Sequence, residues 1–276
     1  MIKKRRLKLG TQEKCDIIIL VVEVIKSNFR VVLASRGGAR LVLFYERVNF
    51  CLIKVENVSV WGFEHAVRGM RAPYMSYDKS DSVYREIYPH SDEADFVVGD
   101  NDLVLMQRLY KGGPEHRKFM RQIFVGMDVT APFYWWKQFD KYQIGVTTDS
   151  ESTMHTLTKA PLTAECFSVD GDFNIQDNPL DDPYFTGKDI ACLVIEQCEW
   201  LRKLYLETKN PKVWRLLVQL LPEGYNQKRT VTLNYEVAAN IIHQRAGHKL
   251  SEWQDFIDAL RRLPYLQLII GERIHE

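Results

Sequence analysis

The sequence lacks the short motifs that mark several large classes of enzyme and secreted protein. Its five cysteines are odd in number and show no CxxC or Cys/His metal-ligand spacing, which argues against a disulfide framework and against a zinc site. It contains no GxGxxG, P-loop, HExxH or GxSxG, so the commonest nucleotide, zinc-protease and serine-hydrolase motifs are missing. These absences favour a reduced intracellular protein whose chemistry lies in other residues.

Charge and hydropathy point to no partner. Lys and Arg number 37 against 36 Asp and Glu, a formal net charge of +1, so no overall field favours a nucleic acid or an anionic membrane. The run DIIILVVEVI at residues 16–25 contains Asp16 and Glu23 and precedes no clear small-residue cleavage site. It is too short for a membrane span and does not fit an export signal. We therefore predict a cytoplasmic protein with neither a nucleic-acid nor a membrane partner.

The composition is that of a globular protein. Across 276 residues, 46% are hydrophobic and 26% charged, with no internal repeat and no low-complexity linker. We predict an α+β fold with one main domain, residues 52–276, in which a mixed or antiparallel sheet is flanked by helices. Residues 1–51 form an N-terminal extension with two strand-like runs around Gly37 and Gly38. Alternatively this extension is not native sequence, because the stretch from Leu52 onward looks like a protein start.

Local patterns predict several elements of the main domain. DNDLVLMQRLYKGG predicts a helix capped by Asp100 or Asn101. The alternation in FMRQIFVGMDV predicts a strand, and a second strand is predicted to turn helical near Asn234, with a break at Gly247. KDIACLVIEQCEWLRKLYLETKN predicts the clearest helix, with these apolar residues facing the core: Ile190, Leu193, Val194, Leu201 and Leu204.

One stretch, APFYWWKQFDKYQIGVTTDSESTMH at 131–155, combines an aromatic pair with a polar loop. Trp135 and Trp136 stand side by side, and large aromatic area is costly in water unless something covers it. The stretch is either a core helix that enters a polar loop or one wall of a binding site.

Three polar clusters are candidate sites. They are GGPEHRKFMRQ before the first strand, TTDSESTMH in the polar loop and NIIHQRAGHK at the helix break. Arginine in these clusters offers a rigid fork of donors for a phosphate or the edge of a pyrimidine. Each cluster also has a structural explanation, as a solvated turn, a capping segment or a helix end.

The order of these clusters resembles that of the flavin-dependent thymidylate synthase (ThyX) family. In that family a His follows an SPFEH-like turn, and here GGPEHRKF supplies His116. A late Leu-Pro segment, here Leu221 and Pro222, leads to an Asn and to an Arg eleven residues later, here Asn234 and Arg245. The resemblance covers residues 53–262.

The sequence departs from the family at its RHRxxSxNExSxRY motif. With Ser152 as the anchor, Tyr142, Gln143 and Ile144 stand where the family has Arg-His-Arg. With the tryptophans as the anchor, WWKQF lies on WWRHR, so that Lys137 keeps the first charge. Neither register restores all the arginines.

The resemblance implies a homotetramer whose sites form between subunits. It implies that these sites bind FAD and methylate dUMP, with NADPH and methylene-tetrahydrofolate as co-substrates, and that no metal takes part. The implied catalytic residue, which orients and polarises the uracil, is Arg245. The implied substrate-binding residues, which hold the nucleotide phosphate, are Ser150, Ser152, Lys137 and Lys141. The implied cofactor-binding residues, which contact FAD, are His116, Arg117, His248 and Asn234.

Two other function classes remain open. The first is a nucleotide-binding protein on the same scaffold without thymidylate synthase activity, because each missing guanidinium removes charge-assisted hydrogen bonds worth roughly 1.5–3 kcal/mol. The second is a structural or interaction protein, in which the tryptophans form an interface core and Arg245 and the serines have no role.

Overall fold

The computed structural model describes residues 3–4, 18–23, 30–35, 42–45, 53–86, 94–171, 173–176 and 185–271. The strands are β1 Lys3–Lys4, β2 Ile18–Glu23, β3 Arg30–Ser35, β4 Val42–Tyr45, β5 Lys54–Trp61, β6 Val83–Glu86, β7 Ala94–Val97, β8 Phe124–Pro132, β9 Val146–Ser150 and β10 Asn226–Asn234. The α-helices are α1 Phe63–Arg71, α2 Asp100–Lys111, α3 Phe133–Phe139, α4 Thr153–Thr156, α5 Gly187–Thr208, α6 Pro211–Leu220, α7 Tyr235–Arg245, α8 Glu252–Arg261 and α9 Leu266–Ile270. Helices combined with antiparallel sheets confirm the predicted α+β class.

The chain forms two compact units. The hairpin unit combines Met1–Cys51 with Leu157–Pro222, and the sheet unit combines Leu52–Thr156 with Glu223–Glu276. The assignment of residues 1–51 to a separate extension remains a prediction.

The hairpin unit contains an antiparallel sheet in the order β1-β2-β3-β4 and the two packed helices α5 and α6. A capping box starts α5, because Thr186 Oγ1 accepts a hydrogen bond from Asp189 N and the Asp189 carboxylate accepts one from Thr186 N at 2.7 Å. The predicted core face of α5 is only partly right. Leu201 is buried, but the structure leaves three other predicted core residues, Ile190, Leu193 and Val194, exposed. The buried face carries Cys192, Ile195, Cys198, Leu201 and Arg202. Apolar residues occupy more than one side of α5, so their spacing did not single out the packed face.

The sheet unit is built around four antiparallel strands in the order β5-β8-β10-β9. Val125, Met127 and Val129 on β8 are buried, whereas the residues between them are only partly covered, which confirms the predicted alternation. From β10, Val231 and Leu233 join the same buried face. The strand that leads to Asn234 and the helix that follows it are therefore confirmed as β10 and α7.

The paired tryptophans belong to the core of this unit. Trp135 and Trp136 lie on α3 and are both fully buried. The Trp135 ring centroid lies 4.7 Å from that of Trp253 and 5.2 Å from that of Phe256, both on α8. These rings form an aromatic cluster that fixes α3 against α8. The structure therefore confirms the first of the two interpretations, in which the tryptophans belong to a core helix.

The predicted cap of α2 is wrong. The helix begins at Asp100 after Gly99, and no side chain of its own N-cap residue takes part. Asp81, in the preceding loop, instead accepts hydrogen bonds from the backbone N–H groups of Asn101 at 2.9 Å and Asp102 at 3.1 Å. A loop that folds back over the start of the helix supplies the cap from twenty residues away, which local spacing does not reveal.

Among the residues that the structure describes, no helix is both long enough and apolar enough to span a membrane.

Candidate functional site

The candidate site is organised by α7, which follows β10 directly with no loop between them. Asn234 has an extended backbone, and its side-chain Oδ1 accepts a hydrogen bond from Val237 N at 3.0 Å, which caps the helix. Asn234 is also buried against Gly145, where an added Cβ would lie 2.6 Å from Asn234 Nδ2. The structure therefore gives Asn234 a role in starting α7. Its contact with FAD remains a prediction.

Arg245 is the last residue of α7, and neighbouring side chains fix its direction. Its Nε donates to Tyr142 Oη at 3.0 Å, and its Nη1 donates to Gln138 Oε1 at 3.4 Å. The guanidinium carbon lies 4.5 Å from the centroid of the Trp253 ring, and Trp253 Nε1 donates to the same Gln138 oxygen at 3.2 Å. An arginine that only complemented the helix dipole would not need this support. The guanidinium is held in one place, beside a cavity.

That cavity has a volume of about 400 Å³, within the range of roughly 300–1,000 Å³ that small-molecule sites occupy. Its lining residues are Lys141, Tyr142, Gln143, Ile144, Val237, Asn240, Gln244 and Arg245. The lining combines two cations and three carboxamides with apolar surface and contains no carboxylate. This chemistry suits an anionic ligand that also carries a polar ring. In the described part of the chain, no group of three His, Cys, Asp or Glu side chains is arranged to hold a metal ion.

The predicted phosphate-binding residues do not all meet at the cavity. Lys141 lines it beside Arg245. Lys137 instead lies on the surface, with its Nζ 2.6 Å from Glu223 Oε1. Ser150 and Ser152 are not among the residues that line the cavity. Ser150 is the last residue of β9, about 13 Å along the strand from Val146 at roughly 3.3 Å per residue, and Ser152 immediately precedes α4. Within one chain, the structure brings together Arg245 and Lys141 but not Lys137 or the two serines.

His116 and Arg117 lie at the turn between α2 and β8, where a carboxylate is already in place. Glu236, in the first turn of α7, accepts a hydrogen bond from Arg117 Nε at 3.3 Å and a second from Arg121 Nε. Burial raises the pKa of Glu236, but hydrogen bonds and charge from Arg121 and Arg117 outweigh it and hold the pKa below its ordinary value. Arg117 also lies over the Tyr110 ring, 5.4 Å from its centroid. His116 is exposed next to this group.

His248 lies in the turn between α7 and α8. Its Nδ1 accepts a hydrogen bond from Leu250 N at 3.1 Å, so a neutral ring carries its proton on Nε2. The ring lies 6.1 Å from that of Trp253, next to the side chain on which Arg245 stacks. His248 thus presents a single N–H donor near the site.

Sequence reasoning missed several residues of the cavity wall. Val237, Asn240 and Gln244 follow one another at helical spacings of three and four, so the face could be recognised once the start of α7 was placed. The segment 142–144, which stands where the family has Arg-His-Arg in one of the two registers, forms the opposite wall. Phe139 stands at the second arginine of Arg-His-Arg in the other register, and its side chain is buried in the aromatic cluster. No local signal announced the contact between Gln138 and Arg245.

Comparison with known proteins supports the fold at the level of structure alone. No family model and no curated protein matches the sequence. The crystal structure of Thymidylate Synthase X (ThyX) from Helicobacter pylori with FAD and dUMP matches 80% of this chain and 98% of its own, with a TM-score of 0.56 and 18% identity. The chain has a ThyX-like fold. A further structure of the flavin-dependent ThyX from Helicobacter pylori, complexed with FAD and dUMP, gives a TM-score of 0.55 at 18% identity, over 79% of this chain and 98% of that one. Structural similarity at this low sequence identity supports the ThyX-like fold and does not show membership of the family.

Proposed function

We propose that this ThyX-like chain binds FAD and dUMP and catalyses the reductive methylation of dUMP to dTMP. Methylene-tetrahydrofolate would supply the carbon and NADPH the reducing equivalents. The proposal is supported by the structural similarity to a protein that has FAD and dUMP bound, and by the cavity at Arg245.

The observation that carries the proposal is the fixed guanidinium of Arg245 in a cavity that also contains Lys141. A preorganised positive charge would orient the uracil and stabilise negative charge on its carbonyl oxygens while the methylene group is transferred. Lys141 would attract the nucleotide phosphate to the same cavity. Neither role requires a nucleophile from the protein, since the chain binds, orients and polarises the substrate.

The residues proposed for FAD have the donor chemistry that this cofactor needs. FAD presents ring carbonyls, unprotonated ring nitrogens and phosphate oxygens, which accept hydrogen bonds. His248 offers the Nε2 proton, and Arg117 keeps N–H groups beyond the one that Glu236 accepts. His116 is exposed at the same turn as Arg117. When bound, FAD would supply hydride transfer, while these residues would hold and orient it.

Ser150, Ser152 and Lys137 remain proposed phosphate ligands. They lie away from the cavity of their own chain, so in this proposal they act across a subunit boundary in a homotetramer. Light scattering of the purified protein tests that assembly, because a monomer would remove these three residues from the site.

A direct experiment tests the proposed reaction. The purified full chain, with added FAD, is examined for flavin absorption at about 350–500 nm and then supplied with dUMP, methylene-tetrahydrofolate and NADPH. Bound flavin and formation of dTMP, followed by chromatography, are expected. A protein that binds dUMP but neither binds FAD nor forms dTMP would contradict the proposal.

That result would favour a second function, nucleotide binding without thymidylate synthesis. A specific observation supports it: Glu236 already neutralises part of the positive charge of Arg117 and Arg121. With Gln138 and Phe139 in place of family basic residues in one register, the chain has fewer cations for a dinucleotide.

A further inference from the structure

A chain of hydrogen bonds connects Arg245 through Tyr142 to Gln244 at the edge of the cavity. Arg245 Nε donates to Tyr142 Oη at 3.0 Å, and Tyr142 Oη donates to Gln244 Oε1 at 3.1 Å. All three residues line the cavity. Tyr142 is therefore both an acceptor and a donor, between one cation and one carboxamide.

This chain of hydrogen bonds favours the orientation of the Gln244 amide in which its oxygen faces Tyr142 and its nitrogen faces the ligand. An arginine Nε–H can only donate, so Tyr142 Oη must accept from it. If the Gln244 amide were flipped, Tyr142 would face two donors and its own proton would have no acceptor in this chain. The observed direction leaves Gln244 Nε2, which makes no hydrogen bond to the residues that the structure describes, as a donor for the cavity.

We propose that Tyr142 sets the hydrogen-bonding direction of this cavity and that Gln244 is the residue that selects the pyrimidine by its exocyclic group. Gln244 Nε2 and the remaining N–H groups of Arg245 are donors at this edge of the cavity. Together they match a carbonyl oxygen at C4 of the ring and oppose an amino group there. The cavity therefore prefers a uracil nucleotide to a cytosine nucleotide. This inference rests on the proposed nucleotide binding, and it assigns roles to two residues outside the sequence-predicted set.

The test compares the affinities for dUMP and dCMP by titration calorimetry on the full chain. The parent should bind dUMP at least about tenfold more tightly, because dCMP sets an amino group against a donor. Tyr142→Phe keeps the ring on which the Arg245 guanidinium lies but releases the Gln244 amide, so the preference should fall to roughly twofold or less. Gln244→Glu replaces the donor with an acceptor, so the preference should be lost or reversed.

Gln143→Glu is the matched control, because Gln143 lines the same cavity without a hydrogen bond to Tyr142. It adds the same negative charge and should weaken both nucleotides alike, leaving the ratio of their affinities unchanged. Circular dichroism melting checks that each variant is folded. Because Gln244 is exposed, Gln244→Glu should remain folded and provides the test if Tyr142→Phe is unstable.

Two failures can be told apart. A parent that binds dUMP, with a ratio that neither Tyr142→Phe nor Gln244→Glu changes, overturns the role of these residues and leaves the proposed function standing. Equal binding of dUMP and dCMP by the parent has the same meaning. A parent that binds neither nucleotide counts against the proposed function itself, and the present inference falls with it.

Discussion

Asn234 and Arg245 stand at the two ends of one helix. Asn234 caps the start of α7 through Val237 N, and Arg245 is the last of its eleven residues. The spacing that supports the family resemblance is therefore the length of α7. A cap at one end determines where the helix begins, and so where the guanidinium at the other end lies.

The guanidinium of Arg245 should be essential for nucleotide binding but not for folding. Arg245→Lys loses the bond to Tyr142 and the flat stack on Trp253, so dUMP affinity should fall at least about tenfold, while stability changes by no more than about 1 kcal/mol. Calorimetry with dUMP and urea unfolding measure the two effects. Arg262→Lys, at the exposed end of α8, is the control with the same chemical change outside the cavity. Unchanged dUMP affinity in Arg245→Lys would remove Arg245 from the site.

The cap of α7 should contribute to stability through its acceptor oxygen. Asn234→Ala removes the bond to Val237 N and should lower the free energy of unfolding by about 1 kcal/mol, measured in urea. Asn234→Ser keeps a side-chain acceptor and should recover part of this loss. Equal stability of the alanine and serine variants would show that the capping bond is not what Asn234 contributes.

Gly145 should tolerate a side chain less well than Gly247, although the two have similar backbone angles. Their φ values are +75° and +70°, which cost alanine roughly 1–2 kcal/mol at either position. At Gly145 an added Cβ also meets Asn234 Nδ2 at 2.6 Å and Val237 Cγ2 at 3.3 Å, whereas at Gly247 it meets nothing within 4 Å. Gly145→Ala should therefore unfold at lower urea concentration than Gly247→Ala. The reverse order would mean that Gly145 is not packed against the start of α7.

Asp102 should make stability depend on pH. It is buried and accepts from Arg71 Nε at 2.5 Å, from Ser80 Oγ at 2.6 Å and from Ser82 Oγ at 2.6 Å. Burial raises the pKa of Asp102, but these hydrogen bonds and the Arg71 charge outweigh it and hold the pKa below its ordinary value of 3.8. The carboxylate therefore stabilises the fold above that value, and this stabilisation is lost as pH falls through the lower, folded-state pKa.

Asp102→Asn tests this at two pH values. At pH 7 the variant's free energy of unfolding should be about 3–5 kcal/mol lower than the parent's, because an amide cannot accept all these hydrogen bonds and the Arg71 charge is left buried without its partner. The difference from the parent should narrow below a pH of about 4. A difference in unfolding free energy that stays constant from pH 7 to pH 3 would contradict the assignment.

The two lysines near the tryptophan helix should differ in their effect on the ligand. Lys141→Ala removes one of the two cations of the cavity and should weaken dUMP binding about tenfold. Lys137→Ala should weaken dUMP binding by a smaller factor, because Lys137 reaches the phosphate only from a neighbouring subunit of the proposed tetramer and Glu223 already neutralises part of its charge. The opposite order would place the phosphate closer to Lys137 than to Lys141.

The sequence by itself determined the elements whose signals are local. Alternation of apolar residues gave β8, because one face of the strand is buried and side chains alternate between faces. Asn234, followed by an apolar helical run, gave the start of α7, because a capping side chain acts within three residues. The order of the polar clusters predicted the ThyX-like fold that the structure has.

Only the tertiary structure decided which of these residues meet. Gln138, Tyr142 and Trp253 reach Arg245 from more than a hundred residues away or from the next helix, and no local spacing encodes such contacts. The same packing placed Lys141 at the cavity, while Lys137, four residues earlier, pairs with Glu223 at the surface. It also chose the buried face of α5, because a helix that is apolar on more than one side is oriented by the element it packs against and not by its own pattern.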